Sequence, residues 1–261
     1  MILTLDVGNS NIFIGLYDDG CLLNDWRIAT DKDKTSDEYG VILMNLFISG
    51  GYKLEDVKSI IISSVVPTVM GALKEMTGNY FDASLLTVGP GVKTGLNIRT
   101  DNPREVGSDR IVNAIAAKAK YSPPLIIVDF GTATTICAVS EDGSYLGGAI
   151  APGIEVSTEA LFNKADKLPK IEVGKPLKAI GKNTEDSLKS GIYFGFIGQV
   201  EALILEFKKE LGERSQVIGT GGFVKEIGYE IDKIDVIDEH LTLDGLYHLA
   251  KINGFIGDDN D

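Results

Sequence analysis

Short apolar runs rich in β-branched residues alternate with longer segments of helical periodicity along most of the chain. The runs predict strands at 57–66, 84–88, 145–150, 216–220 and 234–237, besides two strand pairs described below. Helices are predicted after a capping box at 35–38, after Pro67, after Gly107, after Gly153, at 185–211 and at 243–252. Strands that alternate with helices in this way are typical of an α/β sheet covered by helices.

Two distant stretches of the chain share one pattern. Residues 2–20 read ILTLDVGNSNIFIGLYDDG and residues 125–143 read LIIVDFGTATTICAVSEDG, and they superpose without a gap, so that Phe13 falls on Ile136. In each stretch an apolar run ends in an aspartate, Asp6 or Asp129, and a glycine two residues later allows a tight turn into a second strand. So long a repeat suggests two copies of one domain, since solenoid repeats have periods of about 20–50 residues.

Each of these turns carries groups that suit a phosphate site. Phosphate oxygens can be held by successive backbone N–H groups of a tight turn, helped here by the side chains of Asn9, Ser10, Thr132 and Thr134. The carboxylate of Asp6 or Asp129 would repel phosphate unless a cation lay between them. Either hairpin alone is explained by ordinary turn chemistry. The matched pair predicts two facing turns that clamp a metal-bound polyphosphate.

The composition excludes several classes of protein. With 261 residues, 44% of them hydrophobic, the chain suits one large domain or two of about half that length, and it is not a disordered protein. A net charge of −13 disfavours sequence-independent binding to nucleic acid or to an anionic membrane, because phosphate groups are repelled overall. We therefore predict no nucleic-acid or membrane partner, and local positive groups wherever an anionic substrate binds.

Other familiar kinds of site have no sequence signature here. Cys21 and Cys137 form no C-x-x-C pair, which fits buried thiols in a reducing cytoplasm. His240 and His248 have no H-x-x-x-H partner, so neither a zinc site nor a Ser-His-Asp triad is predicted. The sequence has no G-x-x-x-x-G-K-[ST] motif, no secretory pattern and no apolar run of about 18 residues. A soluble cytoplasmic protein is expected.

Outside the two turns, the strongest candidate for a functional site is the adjacent charged pair Asp109 and Arg110, at the predicted start of a helix. Such pairs are usually structural, because the helix dipole favours the aspartate and water solvates the arginine. The glycine-rich approach to this helix favours a site instead, in which Asp109 takes a proton from an attacking hydroxyl and Arg110 holds a substrate carboxylate. Gly221–Gly222 follows a strand and would let a nucleoside approach the backbone, or would simply form a turn at a helix start.

Seven motifs, taken in order, resemble those of type III pantothenate kinases. They are DVGN at 6–9, DNPREVGSDR at 101–110, DFGT at 129–132, GGAIAPG at 147–153, KLP at 167–169, GKNT at 181–184 and TGG at 220–222. The resemblance implies an α/β fold of two duplicated ribonuclease-H-like domains, as in the actin, sugar kinase and Hsp70 superfamily, which we place at 1–117 and 118–261. It also implies transfer of the ATP γ-phosphoryl group to the 4′-hydroxyl of pantothenate, the first step of coenzyme A synthesis.

The resemblance also implies a role for particular residues. Asp109 would be the general base, Asp129 would bind a monovalent cation (potassium or ammonium), and Mg²⁺ would accompany ATP. The ATP-binding residues would be Asp6, Val7, Gly8, Asn9, Ser10, Asn11, Ile12, Phe13 and Thr132. Pantothenate would be contacted by Gly107, Ser108, Asp109, Arg110 and Thr184. The resemblance further implies a homodimer with the pantothenate pocket near the subunit interface.

The chain departs from the family pattern at one position, where Thr100 replaces an aromatic residue that is common in the family. The departure concerns the shape of the substrate pocket rather than the reaction. Two alternative functions stay open. One is a non-catalytic nucleotide or ligand sensor, since the same family includes accessory factors of transcriptional activation. The other is a phosphatase, or a kinase for a different hydroxy acid, on the same fold.

Overall fold

Two five-stranded sheets dominate the computed structural model, which describes residues 1–165 and 168–255. The elements in the first part of the chain are β1 (Ile2–Val7), β2 (Asn11–Asp18), β3 (Cys21–Ala29), α1 (Ser36–Gly50), β4 (Ser59–Ser64), α2 (Met70–Tyr80), β5 (Ser84–Thr87) and α3 (Ser108–Lys120). The elements that follow are β6 (Leu125–Phe130), β7 (Ala133–Val139), β8 (Tyr145–Pro152), α4 (Ile154–Lys164), α5 (Thr184–Leu211), β9 (Gln216–Thr220), α6 (Val224–Ile227), β10 (Val236–Ile237) and α7 (Leu241–Ile252). Lys167, the first residue of the KLP motif, lies outside the described residues.

The two sheets follow one plan. Their strand orders are β3-β2-β1-β4-β5 and β8-β7-β6-β9-β10. In each sheet the first three strands form antiparallel hairpins, and the fourth strand then pairs in parallel with the first. The fifth strand pairs in parallel with the fourth. This shared plan confirms the duplicated α/β fold that the sequence repeat predicts.

The first hairpin turns of the two copies differ in length by one residue. Asp6 pairs with Phe13 in the first sheet, whereas Asp129 pairs with Thr135 in the second. The ungapped match of Phe13 with Ile136 is therefore wrong as a structural equivalence. Since successive side chains of a strand point to opposite faces, Ile136 lies on the face opposite to Asp129.

Contacts within the chain define two compact units. Unit 1 comprises residues 1–96, 102–116 and the chain from Leu241 onward, and unit 2 comprises residues 97–101 and 117–240. The predicted domain bounds, 1–117 and 118–261, differ from this division at both ends of unit 2. Helix α7 lies in unit 1 because Leu243, Leu246 and Leu249 are buried in its core. Residues 97–101 lie in unit 2 because they pair with β8, where the Tyr145 N–H donates to the Asn97 carbonyl at 2.8 Å.

In unit 1, helices cover both faces of the sheet. One core cluster contains Leu5 and Ile62 with Leu43 of α1 and Leu73 of α2. The opposite face of the sheet packs on α3 and α7, and Ile61 belongs to that cluster. Asp6 lies on this second face, since it alternates with the buried Leu5 along β1.

In unit 2, α4, α5 and α6 pack on one face of the sheet. The core there joins Val128 and Phe130 of β6 to Ile154 of α4, Phe196 of α5 and Val224 of α6. The sequence signals at helix starts are confirmed in both units. Thr35 and Glu38 form the capping box of α1, and the Asn183 side chain accepts from the Asp186 N–H at the start of α5.

Helix α5 retains much exposed apolar surface. Among the described residues it is the one helix long and apolar enough to pass a length and composition test for a membrane span. That test is weak evidence, because a core helix of a soluble protein passes it too. Only 28% of its most apolar window is buried within the chain.

Candidate functional site

The tight turn between β1 and β2 is held from both sides. The Gly8 N–H donates to the Asn11 carbonyl at 3.0 Å, and a side chain on Gly8 would come within 3.2 Å of that oxygen. Thr30 lies just beyond the end of β3, and its hydroxyl donates to the Gly8 carbonyl at 2.7 Å. Its N–H donates to the Ser10 carbonyl at 3.0 Å. Thr30 thus fixes the shape of the turn, although no sequence motif marks it.

The predicted ATP-binding residues around this turn divide by exposure. Asn9 and Ser10 at the tip are exposed, whereas Val7 and Ile12 are fully buried in the core. The side chains of Val7 and Ile12 therefore face away from any ligand at the tip, and only their backbone is available to it. Phe13 is half-buried and pairs with Asp6, so the two side chains share one face of the sheet.

Four of the five predicted pantothenate-binding residues, Gly107 to Arg110, lie at the start of α3. Gly107 precedes the helix, and its carbonyl accepts from the Ile111 N–H at 3.2 Å. A side chain on Gly107 would collide with Oδ1 of Asp109, so the glycine lets this carboxylate fold back over the helix start. Asp109 and Arg110 are both partly exposed. A charged pair at a helix start is thereby available to a ligand.

One buried serine connects the helix start to the sheet. Ser63 on β4 is fully buried, and its hydroxyl donates to the Ser108 hydroxyl at 3.0 Å. Ser63 also pairs with Asp6 across the parallel strands β1 and β4. Unit 1 therefore brings Asp6 and the Asp109-bearing helix start to one edge, the carboxyl ends of two parallel strands, where α/β sheets commonly bind ligands.

The corresponding turn of unit 2 is enclosed by two glycines. The Gly153 N–H donates to the Thr132 carbonyl at 3.0 Å, and a side chain on Gly153 would collide with the Gly131 carbonyl oxygen. Gly221 has a φ of +99°, and a side chain there would collide with Oδ1 of Asp129. The Cβ position of Gly221 is thus blocked by the carboxylate of Asp129, so no residue with a side chain fits there without a shift.

Two threonine hydroxyls near this turn have no hydrogen-bond partner within the described chain. Thr220 is fully buried and Thr134 is 1% exposed. Thr220 pairs with Asp129 across the parallel strands β6 and β9, so its side chain lies on the same face as the carboxylate. A carboxylate beside an unpartnered hydroxyl is an oxygen donor set that suits a hard cation. Thr134 is too deeply buried to belong to the exposed concavity predicted from the sequence.

Thr184 is the first residue of α5 and is exposed. A groove of about 470 Å³ runs between α4 and α5, lined by Ile154, Ser157 and Leu161 from α4 and by Ser187, Gly191 and Gly195 from α5. Because residues three or four apart share one helix face, Thr184 lies on the same face as Ser187. The structure thus places this candidate substrate contact at the end of a mostly apolar groove.

The sequence model of the type III pantothenate kinase family matches residues 2–206 of this chain. The chain belongs to the type III pantothenate kinase family. In this family member, the Asp6 turn and the start of α3 lie in unit 1, while Asp129, Thr132 and Thr184 lie in unit 2. The prediction that the two turns face each other stays a prediction.

Solved structures with the same fold carry varied descriptions. A protein from Campylobacter jejuni described as a conserved Baf family transcriptional activator has a TM-score of 0.62 at 20% identity, covering 97% of this chain and 100% of its own. A protein from Sinorhizobium meliloti described as a 2-dehydro-3-deoxygalactonokinase has a TM-score of 0.58 at 12% identity, covering 97% and 99%. Component A of the (R)-2-hydroxyglutaryl-CoA dehydratase of Acidaminococcus fermentans has a TM-score of 0.52 at 14% identity, covering 96% and 98%. This pantothenate kinase family member shares its fold with all three structures.

Gly221→Ala is expected to destabilise the protein by about 1–3 kcal/mol, because the new side chain meets Asp129 in a backbone conformation that suits glycine. The free energy of unfolding from urea denaturation measures this effect. Gly174→Ala is the matched control, since Gly174 lies in the same unit with open space around it. Equal stabilities of the two variants would show that the close approach to Asp129 is unimportant.

Proposed function

We propose that this protein transfers the γ-phosphoryl group of ATP to the 4′-hydroxyl of pantothenate, the first step of coenzyme A synthesis. Membership in the type III pantothenate kinase family supports the substrate pair. The observation that carries the proposal is the edge of unit 1, where Ser63 pairs with Asp6 across the strands and bonds to Ser108 at the start of α3, next to Asp109. A phosphate-binding turn and a proton acceptor are the two parts that phosphoryl transfer needs.

In this proposal the turns hold ATP. Residues 6–13 bind it mainly through backbone N–H groups, since the side chains of Val7 and Ile12 are buried. Thr132, exposed at the second turn, completes the set. Mg²⁺ arrives with ATP and neutralises phosphate charge. Within the described residues no group of three or more His, Cys, Asp or Glu side chains could hold a metal ion.

Asp109 acts as the general base. It takes the proton of the 4′-hydroxyl as the bond from O4′ to the γ-phosphorus forms, and the bond from that phosphorus to the bridging oxygen of ADP breaks. Arg110 binds the pantothenate carboxylate through two parallel N–H donors. Gly107 and Ser108 line the pocket, and Thr184 contacts pantothenate from the start of α5.

Asp129 holds a monovalent cation in this proposal, either potassium or ammonium. The carboxylate is paired across the strands with the unpartnered hydroxyl of Thr220, and together they offer oxygen ligands. When bound, the cation reduces the repulsion between Asp129 and an ATP phosphate.

A second copy of the chain covers the exposed face of α5, giving a homodimer. That face lacks charged side chains and consists of Gly191, Phe194, Gly195, Gly198, Ala202 and Leu205. A membrane is a poorer partner for this helix, because Glu201 lies in its middle and a buried carboxylate is costly in a bilayer. We place the enzyme in the cytoplasm.

The alternative function is a non-catalytic accessory factor in transcription. The observation that favours it is the fold shared with the Campylobacter jejuni protein described as a transcriptional activator. At 20% identity that likeness extends to the fold alone. The two functions differ in turnover, which a direct assay measures.

The deciding experiment is a coupled assay of ADP release with pantothenate and with a panel of other small hydroxy acids. Pantothenate is expected to be the best substrate. Turnover with none of them would support the accessory factor, and a preference for another hydroxy acid would reassign the kinase.

Asp109→Asn is expected to lower kcat by about 100-fold or more, the range for loss of a general base, while pantothenate still binds. Steady-state kinetics and calorimetric titration of pantothenate measure the two effects. Asp37→Asn is the matched control, because Asp37 also lies in the first turn of a helix of unit 1. A near-normal kcat for Asp109→Asn would remove Asp109 from the role of base.

Potassium or ammonium is expected to support activity that falls in buffer containing only sodium. The same ions should raise the midpoint of thermal unfolding in the presence of ATP, because a ligand that binds the folded state stabilises it. Asp129→Asn should abolish both responses. If the wild-type protein behaves alike in all three salts, Asp129 does not bind a monovalent cation.

Gly195→Arg is expected to convert the dimer into a monomer, measured by light scattering after size-exclusion chromatography. The helix itself tolerates the change, since no atom lies within 4 Å of a side-chain position on Gly195. Gly78→Arg on α2 has similar open space and should leave the dimer intact. A dimer that persists in Gly195→Arg would place the interface elsewhere.

A further inference from the structure

Strand β4 presents a buried hydroxyl at the edge where the site is proposed. Ser63 is 0% exposed, and its hydroxyl donates to the Ser108 hydroxyl at 3.0 Å. Across the parallel ladder, Ser63 is paired with Asp6. Ser63 therefore pairs with Asp6 across the ladder and bonds through its side chain to the first residue of the helix that carries Asp109.

Two other contacts at the start of α3 stay close in the chain. The Arg110 guanidinium reaches the Glu105 carbonyl at 3.5 Å, which is long for a hydrogen bond and stays within the adjoining loop. The Gly107 carbonyl accepts from Ile111 within the helix itself. The bond from Ser63 instead joins residues 45 positions apart and anchors the helix start to a central strand.

The matching position of unit 2 shows that this bond is particular to unit 1. Thr220 stands beside Asp129 as Ser63 stands beside Asp6. A hydroxyl therefore recurs beside the aspartate in both sheets, but the Thr220 hydroxyl has no partner within the described chain. In unit 1 the start of α3 supplies the acceptor.

We propose that Ser63 is a positioning residue for phosphoryl transfer, which sets the place of Asp109 through Ser108. This inference rests on the proposed function. A general base must come within about 2.6–3.2 Å of the proton that it takes, so a small shift of the helix start lowers the rate steeply.

The test compares Ser63→Ala with Ser59→Ala in steady-state kinetics. Ser59 lies on the same strand, is 5% exposed, and its hydroxyl donates to the Phe255 carbonyl at 2.6 Å, so its loss is a matched deletion away from the proposed site. We expect Ser63→Ala to lower kcat about two- to tenfold, as loss of one hydrogen bond does. The KM for ATP should stay within about twofold, and Ser59→Ala should keep the wild-type kcat.

A double-mutant cycle identifies the route of the effect. If Ser63 acts through Ser108, Ser63→Ala in a Ser108→Ala background should cause no further loss of kcat. Effects on kcat that multiply, or an unchanged kcat in Ser63→Ala, would overturn the inference.

Hydrogen exchange gives a readout that does not depend on activity. Amide exchange at residues 109–112 should rise in Ser63→Ala and stay unchanged in Ser59→Ala, since only the first variant frees the helix start. Unchanged exchange in Ser63→Ala would overturn the inference whether or not the protein is active. A wild-type protein without turnover, but with this exchange pattern, would overturn the proposed function and leave the anchoring of α3 by Ser63 established.

Discussion

The parallel pairing of the first and fourth strand in each sheet is the constraint on which the candidate site depends. It places Asp6 beside Ser63 and Asp129 beside Thr220, with all four residues at the carboxyl ends of their strands. Antiparallel pairing would bring the opposite end of the fourth strand to each aspartate. Because the side chains directly across a ladder share one face, each carboxylate receives a hydroxyl neighbour without any further folding.

The second constraint is the close approach of neighbouring backbone segments to the turn after each aspartate, and the approach is closest in unit 2. Gly153 and Gly221 lie against the turn that follows Asp129, and a side chain on either would collide with atoms of that turn. In unit 1 the same task falls to Thr30, which bonds to both sides of the turn. The two copies thus hold similar turns by different means, with closely packed glycines in unit 2 and a threonine bonded to both sides of the turn in unit 1.

Duplication supplied two similar scaffolds, and the surrounding helices made them chemically different. The start of α3 brings a charged pair, Asp109 and Arg110, to the edge of unit 1 that carries Asp6. In unit 2 the hydroxyl beside Asp129 stays without a partner, and α5 adds an apolar groove that ends near Thr184. The chemical difference between the two edges comes from these additions, since the sheets themselves are alike.

The sequence by itself determined the features whose physics is local. Hydrophobic periodicity predicts the strands and helices, the Thr35 and Asn183 caps mark helix starts, and the repeated Asp-x-Gly pattern reveals the duplication. The seven motifs also indicated the type III pantothenate kinase family, to which the chain belongs. The periodicity and the caps depend on residues a few positions apart, and the repeat and the motifs need only a comparison of sequence stretches, so none of them requires the folded structure.

Tertiary structure alone decided the features that depend on distant residues. Helix α7 joins unit 1 because its leucines fit the core beside Ile61, far away in sequence. The first hairpin turns of the two units differ in length by one residue. This difference is visible only from the strand pairing, because the two sequences align without a gap. The bond between Ser63 and Ser108 has no sequence signature, because serine is common and only the folded backbone brings these two hydroxyls within 3.0 Å.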